Sequence, residues 1–424
     1  MLNTSTIRTK ATLRLSTVAG LLVILALGML AARMPHIFRE FRANPPDAFS
    51  DFNNYLYAFT TVLNQPFDAS LIYDRDGLFA FLHAMGSQHI GVDSFYAYPP
   101  QFALLFSRLA LFAPLTAKAI WVLASIALCA TGVVLVVKMA YRGNKPGVAV
   151  LLVAIALLSR PLLDDVYWGQ SNELLFFLLA ATFFLIERGN RYLAGLFLAL
   201  AVVLKVTPLA VAGLLLLRRE WRTVIATIGF SIIITAFTVS QLGFRVLWHY
   251  LTSDMSRLNN QNMSIGGAPF NNSVRGALQT VMGNVGMPVS ATTLAITSLV
   301  FAAATCLLAA YLVFRRHEDR RIDYALAGAT MLVASPMLES VHLVVALIPL
   351  LILFGTAFEH HSRRVSALGP RTEILLGALA VVLLMFAPRL VTYTIAILII
   401  YGLCVARYFP PSIGLRRNVG RPFA

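Results

Sequence analysis

Charged side chains are scarce in this sequence. Asp, Glu, Lys and Arg together make up 12% of its 424 residues, whereas hydrophobic residues make up 58% and the mean hydropathy is +0.75. Soluble globular domains are only about 45–50% apolar. The composition therefore excludes a soluble protein and indicates a polytopic membrane protein.

Cysteine is also rare, and its placement excludes two kinds of site. Cys129, Cys306 and Cys404 each lie inside an apolar run and far apart in the sequence. Such spacing indicates neither a disulfide framework nor a metal cluster, so we interpret the three cysteines as small core residues. Internal repeats and low-complexity tracts are absent as well.

Acidic residues are outnumbered, with 19 Asp and Glu against 34 Lys and Arg, which gives a formal charge of +15. In a soluble domain this excess would indicate a nucleic-acid partner. Here the basic residues form short clusters between apolar runs, which is typical of cytoplasmic loops of membrane proteins. The clusters lie at 218–222, 315–321, 363–364 and 416–417. No nucleic-acid partner is expected.

The apolar runs predict an all-α, polytopic fold with about ten to thirteen transmembrane helices in one membrane-embedded domain, residues 1–424. The N-terminal basic residues followed by an apolar run to about Ala32 indicate an uncleaved anchor with a cytoplasmic N-terminus. Two long stretches, 34–98 and 243–290, are poor in Lys and Arg clusters. Charge bias predicts that both are extracytoplasmic loops.

Two places complicate the count of crossings. Residues 192–217 lie between two basic segments that both look cytoplasmic, yet Lys205 and the sequence V-T-P at 206–208 divide this run into halves too short to span a bilayer. We therefore expect a broken, re-entrant helix pair at 192–217. Between residues 99 and 187 the number of apolar runs also has the wrong parity for the expected sides of the flanking segments. At least one of the runs 99–113 and 147–159 is therefore expected not to cross.

The first long loop reverses the charge of the chain, because it has six aspartates between 47 and 93 and one basic residue, Arg75. After Ser50, apolar residues recur at helical spacing, which predicts a short amphipathic helix at the membrane surface that ends at Asn64. Asp51 falls in its first turn. Two interpretations stay open: Asp51 caps the helix or complements its dipole, or it is a general base or cation ligand.

Further polar groups lie at the ends of apolar runs, at headgroup depth. They occur in Y-A-Y-P-P-Q-F (96–102), D-D-V-Y-W-G-Q-S-N-E (164–173), K-V-T-P (205–208), N-N-S-V-R-G (271–276) and S-P-M-L-E-S-V-H-L (335–343). Interfacial aromatics, a solvated turn at 164–165 and a packing histidine at 342 would explain some of them. Lys205 is the exception, since an ammonium inside an apolar run costs about 2.5–3.5 kcal/mol and needs a partner or a function.

Taken together, these segments resemble the polytopic glycosyltransferases of the GT-C superfamily. Within it, the chain is similar to glycosyltransferase family 87, whose members resemble polyprenol-phosphate-mannose-dependent α-1,2-mannosyltransferases. The segments occur in the family's order over about residues 45–350, and K-V-T-P with the preceding L-A-G-L-F-L-A-L-A is the most specific. One departure is the pair Asp164 and Asp165 ahead of W-G-Q, for which the family offers no double role.

The resemblance implies an inverting transferase of mannose from a polyprenyl-phosphate donor to a hydroxyl of a glycan or glycolipid, at the extracytoplasmic face of the cell (inner) membrane. It matches Asp51 to the family's general base. Lys205, Arg275 and His342 are assigned to the donor phosphate. The expected substrate pocket consists of Asn54, Tyr98, Asp164, Asp165, Gln170, Asn172, Asn272 and Glu339.

No cofactor and no metal ion is expected, because cationic side chains suffice to neutralise one phosphate; Asp164 and Asp165 are the reason for caution. Two alternatives stay open. A GT-C transferase of another sugar (glucose, arabinose or aminoarabinose) would share the mechanism. A secondary transporter also has broken helices and an intramembrane lysine, although paired repeats and short loops are more typical of that class.

Overall fold

The computed structural model describes residues 4–88, 90–91, 94–257, 267–268, 270–359, 367–386, 388–389 and 391–409. Asp93, residues 258–266 of the second long loop and the arginine clusters at 363–364 and 416–417 lie outside the described residues.

The predicted all-α class is confirmed: the protein is 79% helical, and the described ranges contain no strand. The first half comprises α1 (Thr4–Ala43), α2 (Ser50–Asn64), α3 (Arg75–Ala84), α4 (Pro100–Phe106), α5 (Pro114–Ala140), α6 (Pro146–Leu157), α7 (Arg160–Trp168), α8 (Asn172–Glu187), α9 (Arg191–Leu204) and α10 (Leu209–Leu217). Then follow α11 (Trp221–Leu242), α12 (Phe244–His249), α13 (Val274–Asn284), α14 (Ala291–Arg315), α15 (Arg320–Val333), α16 (Leu347–Glu359), α17 (Pro370–Met385) and α18 (Thr392–Ala406). Short 3-10 segments cover Pro66–Tyr73, Ser107–Leu111 and Ser340–Ala346.

Within the described ranges, five helices are long and apolar enough to cross a membrane. They are Ser16–Arg33, α5, α11, α14 and the stretch Ser340–Glu359; α6 and α7 make a sixth candidate if their 50° bend belongs to one span. The apolar helices α9 and α18 are shorter than a full span. The total of ten to thirteen crossings therefore stays a prediction.

The helices separate into a buried centre and a lipid-facing periphery. Every residue of α15 after Arg320 is buried, and α16 is buried from Leu347 to Ala357. By contrast, α11 and α14 expose large apolar side chains such as Ile232 and Leu299. A membrane helix that faces lipid has no need to bury its apolar side chains, so this contrast marks α15 and α16 as the core of the bundle.

The run 99–113 contains no helix long enough to cross a membrane. It forms the seven-residue helix α4 and the 3-10 segment Ser107–Leu111, both packed on α2. The run 147–159 becomes α6 and bends into α7 instead. In 99–113, Pro99 and Pro100 start a helix too short to span, whereas α6 and α7 are a candidate for one bent span, so the number of crossings between 99 and 187 stays a prediction.

Helix α2 has the predicted ends but not the predicted surroundings. An amphipathic surface helix keeps one face wet, whereas in α2 the residues from Phe52 to Phe59 are all buried. Its second face is covered by α4 and the segments Pro66–Tyr73 and Ser107–Leu111. The periodicity of a single helix does not reveal what its neighbours cover, and the position of α2 relative to the membrane surface stays a prediction.

The run 192–217 is broken as expected, since α9 ends at Leu204 and α10 begins at Leu209. Lys205 has an extended backbone and Pro208 precedes α10. Helix α9 packs on α8 and α11, whereas α10 packs on α11, α14 and α15. A re-entrant course for the pair stays a prediction.

Close packing of α9 on α11 depends on Gly195. A Cβ there would lie 2.4 Å from Ala226 Cβ and 2.8 Å from the carbonyl oxygen of Thr223. Gly213 on α10 has open space at the same position. Alanine normally stabilises a helix relative to glycine by about 1 kcal/mol, so the two sites are expected to respond with opposite sign.

We expect Gly195→Ala to destabilise the protein by about 1–3 kcal/mol, because backbone atoms have to move apart. Gly213→Ala, the matched control, is expected to leave stability unchanged or slightly raised. Thermal unfolding of the detergent-purified variants measures both. Equal midpoints for the two variants would show that the α9–α11 contact is looser than described.

Candidate active site

Asp51 is held by the segment that joins α7 to α8, not by its own helix. The residue before α2, Phe49, adopts a left-handed conformation (φ 54°), and no side chain caps the helix. The Oδ2 atom of Asp51 accepts a hydrogen bond from Nε2 of Gln170. No side-chain cap is seen, but Asp51 lies in the first turn of α2, so the alternative that it complements the helix dipole stays open; its half-buried carboxylate is also directed at a distant part of the chain.

Two tyrosines fix the orientation of the Gln170 amide. The hydroxyls of Tyr55 and Tyr98 donate to Oε1 of Gln170 at 2.7 and 3.1 Å. Burial raises the pKa of both phenols, so they remain neutral donors. With its oxygen occupied by two donors, the amide presents its nitrogen to Asp51. Ser171 completes the network by donating to the Tyr98 hydroxyl at 2.8 Å.

An aromatic cluster holds this network rigid. The rings of Tyr55 and Tyr98 meet edge to face at 5.1 Å, and Phe102 packs on both. Trp121 on α5 packs against Tyr55 and donates from Nε1 to the carbonyl oxygen of Gly169 at 3.0 Å. Gly169 has φ +69°, and a Cβ there would lie 2.9 Å from Phe49 Cβ. Glycine is therefore required where the 169–171 segment passes the start of α2.

Lys205 lies on the other side of the same segment. Its Nζ donates to Oδ1 of Asn172 at 2.9 Å and stands 5.8 Å from the centre of the Tyr98 ring. The charges of Asp165 and Glu339 are near enough to act on the ammonium. Tyr98 therefore contacts both halves of the site, with its hydroxyl on Gln170 and its ring beneath Lys205.

His342 and Glu339 enter the same cluster from the start of the 3-10 segment Ser340–Ala346. The two residues bond reciprocally: the backbone N–H of Glu339 donates to Nδ1 of His342 at 3.2 Å, and the Glu339 side chain accepts from the backbone of His342. His342 lies near Lys205. This contact occupies Nδ1 of His342, whereas Nε2 makes no bond to Glu339.

The N-N-S segment binds directly to the loop that carries Glu339. The backbone N–H of Asn272 donates to the carbonyl oxygen of Leu338 at 2.7 Å, and Ser273 Oγ donates to the carbonyl oxygen of Pro336 at 2.9 Å. Gly276 permits this approach, because a Cβ there would lie 1.9 Å from the carbonyl oxygen of Asn271. The structure thus brings together the sequence segments 271–276 and 335–343.

Arg275 and Asn54 are the two expected site residues with the weakest ties to the rest. Arg275 is half-buried in the first turn of α13, and it makes no hydrogen bond or ion pair with any described residue. Asn54 is buried one turn after Asp51, likewise without a polar partner in the described ranges. Neither residue contacts Lys205. Of the three residues expected to bind the phosphate, only Lys205 and His342 lie together, and Arg275 lies apart from them.

The adjacent aspartates of α7 serve different clusters. Asp165 is fully buried; it accepts from Nδ2 of Asn172 at 2.7 Å and from the backbone N–H of Glu173 at 3.2 Å. Asp164 is paired with Arg160 and accepts from Ser340. Neither is part of a solvated turn, since both are buried in the helix. Asp165 orients Asn172, which in turn positions the Lys205 ammonium.

Lys118 is the residue that the sequence reasoning missed. It lies in the spanning helix α5 and is 1% exposed. Its Nζ donates to the carbonyl oxygens of Pro45, Pro46 and Ala48 at 3.1, 2.7 and 2.7 Å. These carbonyls form the turn directly before Asp51. The signal was in the sequence, because Lys118 sits alone in an apolar run just as Lys205 does.

Metal ligands do not converge in the described part of the chain, where no three His, Cys, Asp or Glu side chains are close enough together to hold an ion. The acidic pair Asp165 and Glu173 has Asn172 and Lys205 as neighbours.

The comparison with known proteins gives the family. The sequence model of glycosyltransferase family 87 matches residues 96–336, which is more than half of the chain. The chain belongs to glycosyltransferase family 87. Neither the curated proteins nor the solved structures contain a match to it. This family 87 protein is therefore a membrane-embedded glycosyltransferase, and the transporter alternative loses its support.

The family match covers one part of the site. Tyr98, Gln170, Asn172, Lys205 and Asn272 lie inside the matched range. Asp51, Glu339 and His342 lie outside it. Asp51 bonds to the matched residue Gln170, and His342 lies near the matched residue Lys205.

The three carbonyl bonds of Lys118 generate a prediction about the turn before Asp51. Lys118→Met keeps an apolar stem but leaves three carbonyls without their donor, one of them buried and two partly buried, so we expect a loss of about 1–3 kcal/mol of stability. Lys138→Met is the matched control, because Lys138 is an exposed lysine on the same helix. Thermal unfolding and hydrogen exchange at residues 45–50 report the effect. Identical unfolding of both variants would mean that the turn holds without Lys118.

Proposed function

We propose that the protein transfers a sugar, most simply mannose, from a polyprenyl-phosphate carrier to a hydroxyl of a glycan or glycolipid, with inversion at the anomeric carbon. One observation carries the proposal: the Gln170–Asn172 segment holds a carboxylate and an ammonium two residues apart, Asp51 through Gln170 and Lys205 through Asn172. An inverting transfer needs this combination of a base and a phosphate-binding cation.

In the proposed reaction Asp51 is the general base. The acceptor hydroxyl oxygen attacks the anomeric carbon, and the bond from that carbon to the phosphate oxygen breaks with its electron pair going to the phosphate. The acceptor proton passes to the Asp51 carboxylate. The half-buried position of Asp51 favours this role, because the carboxylate is oriented by Gln170 and is still partly exposed.

Lys205 is proposed to bind the departing phosphate, with His342 beside it. Phosphate leaves as a good leaving group, so it needs charge stabilisation rather than protonation. Lys205 has three N–H donors and makes one hydrogen bond to a described residue, which leaves donors for phosphate oxygens. Arg275 is proposed to approach the phosphate only when substrate is bound, since it lies outside the Lys205 cluster without substrate.

The site is proposed to face the extracytoplasmic side of the cell (inner) membrane, with the N-terminus in the cytoplasm. Nucleotide sugars are absent there, which favours a lipid-linked donor. The charge bias of the loops supports this orientation, because the basic clusters at 218–222 and 315–321 lie at the opposite ends of helices from the site residues.

The deciding experiment compares wild type with Asp51→Asn in membranes supplied with radiolabelled polyprenyl-phosphate mannose and a glycolipid extract. Loss of the base is expected to reduce transfer by about 10²–10⁴-fold. Asp68→Asn is the matched control, because Asp68 is an exposed aspartate of the same loop and contacts Ser70. Its activity is expected to equal that of wild type.

Each other result is informative. Full activity of a normally folded Asp51→Asn protein would contradict the role of Asp51 and keep the enzyme class. If wild type leaves mannose on the carrier but transfers glucose or arabinose from the corresponding donor, the proposed sugar is wrong. Transfer from none of these carriers would overturn the lipid-linked donor.

Metal independence is the second part of the proposal. Neutralisation of one phosphate by Lys205 and His342 requires no divalent ion, so transfer is expected to be unchanged after extensive treatment with EDTA. The measurement is the rate of label transfer before and after chelation. A loss of activity that Mg²⁺ or Mn²⁺ restores would show that an ion takes part.

A further inference from the structure

We propose that Arg33 and Arg160 form a second anion site, which binds the phosphate of a membrane lipid and is separate from the Lys205 cluster. This inference does not depend on the proposed function. It concerns the junction of α1, α7 and the segment Ser340–Ala346, where several charged groups lie together that the transfer reaction does not use.

The two arginines come from different helices. Arg33 is the last residue of the apolar span Ser16–Arg33, and Arg160 is the first residue of α7, at the 50° bend after α6. Arg160 pairs with Asp164 through Nε. The charges of Arg160 and Asp164 both act on Arg33, which places the three side chains in one cluster, with Tyr393 of α18 beside them.

Among the residues that the structure describes, the cluster has one positive charge more than its partners balance. Two guanidinium groups face one carboxylate, and Ser340 donates to that same carboxylate. Nη1 of Arg33 is buried and makes no hydrogen bond in the part of the chain that the structure describes. A buried donor without an acceptor is costly, and an unbalanced guanidinium more so. A bound anion would remove both costs.

Phosphate suits this arrangement better than a carboxylate side chain would. A guanidinium binds phosphate oxygens with two parallel N–H donors, and two arginines from different helices can engage different oxygens. The Arg160 side chain is 33% exposed, so the site is accessible. One positive charge in excess matches a phosphate that carries one to two negative charges.

The depth of the site and its surroundings point to a lipid. Arg33 ends an apolar span, at the level where lipid phosphates lie. One turn below it, on the same face of the helix, Met29 and Leu30 are only partly buried. An acyl or prenyl chain can follow these side chains while its phosphate meets the arginines. A free phosphate ion would make no use of the apolar surface.

The two anion sites lie on different faces of α7. Asp164 faces Arg160, whereas Asp165 faces Asn172 and the Lys205 cluster, since consecutive residues of a helix point about 100° apart. The segment after α15 divides in the same way, with Ser340 on Asp164 and Glu339 near Lys205. A lipid phosphate held by Arg33 is therefore separated from the proposed reaction centre by helix α7.

The test measures lipid binding, not transfer. The purified full chain in an uncharged detergent is titrated with phosphatidic acid, and bound lipid is counted by native mass spectrometry. Diacylglycerol with the same chains is the control ligand without phosphate. We expect wild type to bind phosphatidic acid and not diacylglycerol, and Arg33→Gln to weaken the binding at least about tenfold.

Two variants make the result specific. Arg39→Gln removes an exposed arginine six residues further along α1 and is expected to bind like wild type. Lys205→Gln, which removes the other phosphate-binding cation, is also expected to retain this lipid. Arg33→Gln is expected to fold normally, because Nη1 has no partner to lose; thermal unfolding checks this, and Arg33→Lys, which keeps the charge, should recover part of the binding.

Three outcomes would overturn the proposal. Equal losses for Arg33→Gln and Arg39→Gln would mean that overall surface charge binds the lipid. Loss of binding in Lys205→Gln alone would place the phosphate at the reaction centre. Complete competition of phosphatidic acid by millimolar inorganic phosphate would leave a free-phosphate site and no lipid site.

Discussion

A bilayer offers no water to a buried charge, so each charge inside this protein has to find its partners in the chain. The two lysines that lie in apolar runs meet this constraint in different ways. Lys118 has three N–H donors and three carbonyl acceptors, and its hydrogen bonding is complete. Lys205 has one such bond, to Asn172, together with the ring of Tyr98. Lys118, whose donors are all used, holds the turn before α2 in place. Lys205, which has donors left, can still bind a ligand.

The same constraint explains where the helices break. Backbone groups freed inside the membrane are tolerated only where protein or a cavity surrounds them. The interruptions at Gly169–Ser171 and at Lys205–Pro208 adjoin each other, since Lys205 bonds to Asn172. Trp121 supports the first interruption by donating to the carbonyl oxygen of Gly169. The two helix breaks therefore lie next to each other and are linked by a hydrogen bond. Their polar side chains are collected at one place in an apolar bundle.

Much of this arrangement could be predicted from the sequence, for identifiable reasons. The apolar runs predicted the class of fold, because composition alone distinguishes a membrane protein from a soluble one. Lys205 and the break beside it were predicted from the cost of a charge in an apolar run. The same argument applied to Lys118 and was not made, although its run is as apolar.

What could not be predicted depends on contacts between distant segments. The burial of α2 on both faces comes from α4 and the Ser107–Leu111 segment, which a helical period cannot reveal. The separate duties of Asp164 and Asp165 follow from the direction of each side chain relative to Arg160 and Asn172. The position of Arg275 away from Lys205 was likewise open, because helix α13 binds the 336–338 loop through Asn272 and Ser273, not through the arginine.

Tyr98 shows how the two halves of the proposed reaction are kept at a fixed separation. In an inverting displacement the base and the leaving phosphate lie on opposite faces of the sugar, so they must not contact each other directly. Tyr98 lies between their supports, with its hydroxyl on Gln170 and its ring under Lys205. Because its hydroxyl also accepts from Ser171, the phenol cannot turn without breaking the network around Asp51. A rigid aromatic side chain in this position fixes the distance between carboxylate and ammonium, and a flexible one would let them close into an ion pair.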